Sequence, residues 1–123
     1  MNNLESIVSN YCKKFNKNGI PDPLREVRAI IQECTGLSTF EQILKKLDPL
    51  SVKKYQLITK LLKKRSERIP FGRIFNKSYF RDLELKLSND NFIPRIDSEI
   101  IVDYLIDSEI KFSKILEIGT GSG

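Results

Sequence analysis

A chain of 123 residues, 40% hydrophobic and 30% charged, is long enough for one ordinary domain or for a small domain followed by part of another. That balance excludes a disordered chain, and no apolar run approaches the roughly 18 residues a membrane-spanning helix needs. The net charge of +5 is uneven, with 14 Lys/Arg against 7 Asp/Glu in residues 1–70 and 7 against 9 in residues 71–123. Such asymmetry can mark a half that faces nucleic acid. No aromatic side chains are interleaved with the basic ones, however, so a solvated lysine-rich helix surface is the preferred reading. The opening MNNLESIVSN lacks the basic-then-apolar layout of a secretion signal, which makes a cytoplasmic address the default.

The first 68 residues read as a helical bundle. Leu4, Ile7, Val8, Tyr11, Cys12 and Phe15 recur at helical spacing, and Asn2 or Asn3 is placed to cap the start. Gly19 and Pro21 break the pattern, and Asp22-Pro23 then supplies a cap followed by proline in the first helical position. A second helix follows through Leu24, Val27, Ile30, Ile31 and Cys34, with Gly36 able to end it in the left-handed conformation. Ser38 and Glu41 form a capping-box pair for a short third helix, with Phe40, Ile43, Leu44 and Leu47 expected inside. Asp48-Pro49 repeats the stop-and-start chemistry. A fourth helix is expected to turn Val52, Tyr55, Ile58, Leu61 and Leu62 inward and Lys53, Lys54, Lys60, Lys63, Lys64 and Arg65 outward. Cys12 and Cys34, both on apolar faces, read as reduced core thiols rather than as a disulfide or metal pair.

After Pro70 the pattern changes. Tyr79 to Leu87 alternates apolar and polar residues with the period of a half-buried strand, and Arg73 to Phe75 is the expected other arm of a hairpin, across Asn76-Lys77-Ser78. A turn at Ser88-Asn89-Asp90-Asn91 precedes Phe92-Ile93-Pro94-Arg95. Asp97 or Ser98 is then placed to cap a helix through Ile101, Tyr104 and Leu105. Lys114 to Ile118 reads as a short buried strand feeding Gly119-Thr120-Gly121-Ser122-Gly123. The chain is therefore expected to be mainly α: a bundle over 1–68, a β-hairpin linker over 69–95, and over 96–123 the start of an α/β domain.

The glycine segment is where chemistry is expected. Glycines at the C-terminal edge of a strand let the backbone turn sharply and let a cofactor approach without side-chain obstruction. Dinucleotide folds use similar glycines to seat a pyrophosphate on a helix N-terminus. Short glycine patterns are common, but here a second block accompanies them. Arg68, Pro70, Ile74, Phe80, Leu83 and Leu85 are followed by Phe92-Ile93-Pro94-Arg95-Ile96-Asp97-Ser98-Glu99 and then by EIGTGSG, from Glu117 to Gly123. In these blocks, and more loosely in LREVRAIIQECTGLS, the chain resembles the HemK/PrmC family, the release factor glutamine methyltransferases. Departures from the family pattern are Asn76 for its usual glycine, Arg73 for its tyrosine and Ile96 for its second proline. Related ribosomal-protein glutamine methyltransferases share a Pro-Arg element, and the Ser98-Glu99 pair favours the release-factor branch.

The resemblance implies a Rossmann-like class I methyltransferase domain of which these residues are the beginning, the chain being expected to stop within its cofactor loop. It implies S-adenosyl-L-methionine as cofactor, seated on Glu117, Gly119, Thr120, Gly121, Ser122 and Gly123, with Glu117 placing negative charge near the cofactor's cation. The implied partner is a peptide chain release factor, met by the bundle and methylated on the glutamine of its Gly-Gly-Gln motif. Neither a membrane nor direct nucleic-acid binding is expected, and the protein is expected to be a monomer without a metal site. The family's amide-gripping Asn-Pro-Pro-Tyr motif does not occur in the 123 residues, so none is assigned a catalytic role and the chain itself is expected to be inactive. Arg95 and Glu99 can line the cleft; alternatively Arg95 holds the linker and Glu99 favours its helix's first turn, the reading preferred for both. Rival readings are a ribosomal-protein glutamine or nucleic-acid methyltransferase, and a non-catalytic helical binding module.

Overall fold

Asn3 opens the first helix, α1 (Leu4–Lys17), its side chain accepting the Ser6 N–H at 2.9 Å. The structure is a computed structural model that describes residues 2–121. It divides after Pro70 into two compact units.

In the first unit, α2 (Pro23–Thr35) starts on Asp22-Pro23 and ends at Gly36, whose φ of +74° lets its N–H donate to the Gln32 carbonyl at 2.7 Å. In α3 (Thr39–Leu44) the capping box is present, with the Ser38 N–H donating to the Glu41 carboxylate at 2.8 Å and the Glu41 N–H to Ser38 Oγ at 3.3 Å. The fourth helix, α4 (Val52–Ser66), is capped by Ser51 and not by Asp48. Its start is displaced because the preceding backbone is already paired. Pro49 bridges Asn3, the Leu50 N–H donates to the Asn2 carbonyl at 2.7 Å, and the Glu5 N–H donates to the Lys46 carbonyl at 3.0 Å.

The core of this unit is Leu4, Ile7 and Phe15 of α1, Ile20, Val27, Ile30 and Ile31 from the loop and α2, and Ile58 and Leu62 of α4. The Tyr11 hydroxyl reaches the Thr59 carbonyl at 3.1 Å, tying α1 to α4. Three expectations need correction. Phe40, Ile43, Leu44 and Leu47 are exposed and Gln42 is buried instead. A six-residue helix has too few turns for its period to fix a face, and here the amide of Gln42 decides it. Val52 is exposed and Leu61 only half-buried, because α4 presents Ile58, Leu62 and Ser66 to the core. Arg65 does not face water freely, since its guanidinium meets both carboxylate oxygens of Glu26 on α2 at 2.9 and 3.2 Å.

The second unit begins with α5 (Phe71–Phe75) and a hairpin of β1 (Lys77–Phe80) and β2 (Leu83–Lys86), paired from Lys77 with Lys86 to Phe80 with Leu83. The expected arm at 73–75 is thus helical, and the hairpin lies wholly within 77–86. Two non-glycine residues in the left-handed region set this arrangement: Asn76 (φ +54°) after α5 and Arg81 (φ +52°) in the two-residue connection Arg81-Asp82. Gly72 permits the helix to lie against the hairpin, since a Cβ there would stand 2.9 Å from the Lys77 carbonyl oxygen. The Arg73 guanidinium donates to the carbonyls of Ser88 and Asn91, closing the turn between them.

A 3-10 turn (Ile96–Ser98) leads into α6 (Glu99–Asp107). Ser98 occupies the cap position but makes no side-chain cap hydrogen bond, its backbone being already helical. Lys114 to Ile118 forms no strand, and Ile115, Leu116 and Ile118 are exposed. A buried parallel strand exists only when neighbours take its N–H and C=O groups, and among the described residues no strand lies beside this one. No helix among the described residues is long and apolar enough to cross a membrane.

Candidate functional site

The glycine segment holds the conformation its composition permits. Gly119 (φ +78°) and Gly121 (φ +66°) lie in the left-handed region, and a Cβ on either would meet no atom of the described residues within 4 Å. Glu117 and Thr120 are exposed beside them. Ser122 and Gly123 lie outside the described residues. The described part of the loop is therefore bare backbone flanked by a carboxylate and a hydroxyl. That arrangement admits a ligand against the main chain.

Arg95 and Glu99 behave differently from one another. Arg95 is exposed, and its carbonyl accepts the Ser98 N–H at 3.0 Å to form the 3-10 turn. Glu99 accepts the Arg81 N–H at 2.7 Å, and one helical turn later Asp103 takes the Arg81 guanidinium. The first turn of α6 is thus clamped to the hairpin connection. Among the described residues no hydrogen bond or ion pair joins Arg95 or Glu99 to residues 117–121.

The first unit carries a second feature that periodicity did not reveal. Gln42 is buried with its amide nitrogen donating to the carbonyls of Arg28 and Leu37 at 3.1 and 3.0 Å, while its Oε1 finds no donor among the described residues. This anchor leaves open grooves on both sides of α3. One, of 550 Å³, runs along the outer face of α2 past Leu24, Arg25, Arg28 and Ala29 to Ile43; the other, of 400 Å³, borders α1 at Leu4 and Val8. Arg28 and Ile43 line both. The only signal in the sequence was a glutamine set between apolar residues in so short a helix. Cys12 and Cys34 are free thiols that burial pushes above their usual pKa, opposed by Arg28 at Cys12 and reinforced by Glu33 at Cys34. Both are poor nucleophiles at neutral pH.

Residues 7–75 match the family model described as the PrmC N-terminal domain. The chain is 32% identical over 117 residues to a release factor glutamine methyltransferase of Agrobacterium fabrum, covering 90% of this chain and 40% of that protein. It is 30% identical to the human MTRF1L release factor glutamine methyltransferase, over 95% of this chain and 38% of the relative. It is 31% identical to a bifunctional methyltransferase of Rickettsia prowazekii, over 98% of this chain and 27% of that protein. The 123 residues therefore span two fifths or less of the length of these relatives.

Proposed function

This chain belongs to the HemK/PrmC family, and from that premise we propose that its protein methylates the glutamine side-chain amide of the Gly-Gly-Gln motif in a peptide chain release factor. The methyl donor in this reading is S-adenosyl-L-methionine. The supporting observation is the family match over residues 7–75 together with an alignment to a release factor glutamine methyltransferase that covers 90% of the chain.

The residues present suit such a donor. Gly119 and Gly121 offer main chain with open space where a side chain would stand, so a bulky ligand can lie against the backbone. S-adenosyl-L-methionine supplies, when bound, an electrophilic methyl on a cationic sulfur. Glu117, Gly119, Thr120, Gly121, Ser122 and Gly123 are the residues that would hold it, Glu117 through its negative charge and the others through main-chain N–H groups. An amide nitrogen is a weak nucleophile, so holding it in line and excluding water must carry much of the rate. The helical segment 1–68 serves to bring the release factor to the site, and 69–95 links it to the methyltransferase segment from 96 onward. Glu99 acts by fixing α6 to the Arg81 connection, and Arg95 shapes the turn that leads into α6. No Asn-Pro-Pro-Tyr element occurs in the 123 residues, so none of them is given the role of gripping the substrate amide.

The test is to incubate the full-length protein with its release factor and methyl-labelled donor, then sequence the modified peptide by mass spectrometry. One added methyl on the Gly-Gly-Gln glutamine is the expected result. Label on a ribosomal protein or a nucleic acid, with none on the release factor, would overturn the reading.

A further inference from the structure

We propose that the groove between α2 and α3 seats an acidic amphipathic helix of the release factor, with apolar side chains against Leu24, Ala29 and Ile43 and a carboxylate on Arg28. The proposal rests on the function proposed above and adds the surface and the chemistry by which the partner is held.

The exposed row on α3 is not a loosely attached helix turned the wrong way. The Ser38–Glu41 capping box fixes its start, and the two hydrogen bonds from Gln42 lock its face. That orientation leaves Gln42 Oε1 buried with no donor among the described residues and places Phe40, Ile43 and Leu44 in water, with Leu47 exposed just beyond the helix. Both features lower stability. Of these side chains Ile43 lines the α2–α3 groove together with exposed Leu24, and apolar side chains kept outward along a groove are characteristic of an interaction surface.

Charge indicates what covers it. Arg25 and Arg28 line the groove, and Lys45 is exposed at the end of α3. The groove's acid, Asp22, already caps α2 by accepting the Arg25 N–H at 3.4 Å. Arg28 is half-buried and has no carboxylate partner among the described residues, whereas the comparably placed Arg65 is matched by Glu26. A partly desolvated guanidinium between two apolar grooves calls for a carboxylate from outside. A second copy of the chain would bring like charge to like, since residues 1–70 hold 14 basic against 7 acidic residues. The lining from Leu24 to Gln32 is one continuous face of α2 and extends about 12 Å at ~1.5 Å per residue, room for about two turns of a docked helix.

The experiment is calorimetric titration of the full-length protein with its release factor, using Ile43→Asp, Arg28→Glu and the control Lys53→Glu on α4. Ile43 lies at the surface, so the substitution is compatible with folding, and circular dichroism on each variant verifies it. We expect Ile43→Asp and Arg28→Glu each to weaken binding by about tenfold or more, and Lys53→Glu to change it less than twofold. Wild-type binding that survives unchanged in both groove variants overturns this inference and leaves the proposed function standing. Failure of the wild type to bind the release factor overturns both. A dimer in sedimentation that Ile43→Asp dissolves, with release-factor binding unaffected, assigns the groove to a second copy and also overturns it.

Discussion

Leu61 and Leu62 are adjacent leucines whose fates were decided by a rotation too small for the sequence pattern to resolve. Leu62 is fully buried with Ile58, and Leu61 is half-buried on the flank of the same helix. Leu62→Ala should therefore destabilise the first unit by roughly 2–5 kcal/mol, the range for emptying a packed leucine site. Leu61→Ala should cost clearly less, and Lys63→Ala only about a few tenths of a kcal/mol. Urea denaturation of the three variants measures the order, and equal midpoints for Leu61→Ala and Leu62→Ala would contradict this packing. Glu41 makes a different kind of prediction. Hydrogen bonds from the Ser38 side chain and then its backbone hold the carboxyl below its usual pKa of 4.5. A carboxyl whose folded pKa is depressed contributes stability that is fully present above the unfolded value and lost as pH falls through the folded one. Glu41→Gln retains a capping side chain but has no proton to gain. Thermal melts from about pH 6 down to about pH 3 should therefore show a step in wild-type stability that the variant lacks.

Among the elements, those governed by local chemistry were legible and those governed by partners were not. The Asn3 cap, the Asp22-Pro23 start, the Ser38–Glu41 box and the Gly36 stop each depend on residues within a turn of one another, and all four form as read. The start of α4 was misplaced because Pro49 pairs with Asn3, far away in sequence. The hairpin was displaced because non-glycine residues supply its left-handed positions, where sequence reading looks for glycine or Asn-Gly. Asn76 tests that account directly. Its φ of +54° is open to asparagine and easier for glycine, but a β-branched residue resists it. Asn76→Gly should leave stability unchanged or slightly raised, while Asn76→Val should lower it by roughly 1–2 kcal/mol. A full-length protein in which both variants melt together would show that the backbone at 76 does not control the α5-to-hairpin turn.

For the molecule as a whole, the change of pattern near Pro70 was visible in the sequence, and the chain does divide there into two units. What sequence could not convey was how far a glycine loop depends on surroundings. The residues of EIGTGSG were readable, but the strand expected before them forms only with neighbours, and Ile115, Leu116 and Ile118 lie exposed. A loop that binds through main-chain N–H groups needs those groups held in place. The 123 residues alone should therefore bind S-adenosyl-L-methionine too weakly to detect by calorimetry, and the protein at the full length of its relatives should bind it. Gly121→Val in that longer protein separates the loop's role from general damage. A Cβ at Gly121 meets no atom of the described residues within 4 Å, so within this span the valine displaces no side chain. It acts instead through a φ of +66° that valine resists and by standing where the cofactor approaches. The expected outcome is a melting temperature lowered by no more than a few degrees together with complete loss of cofactor binding. Unimpaired binding by the valine variant would remove the glycine loop from the site, and tight binding by the 123-residue chain would show that the loop needs no support beyond the residues described.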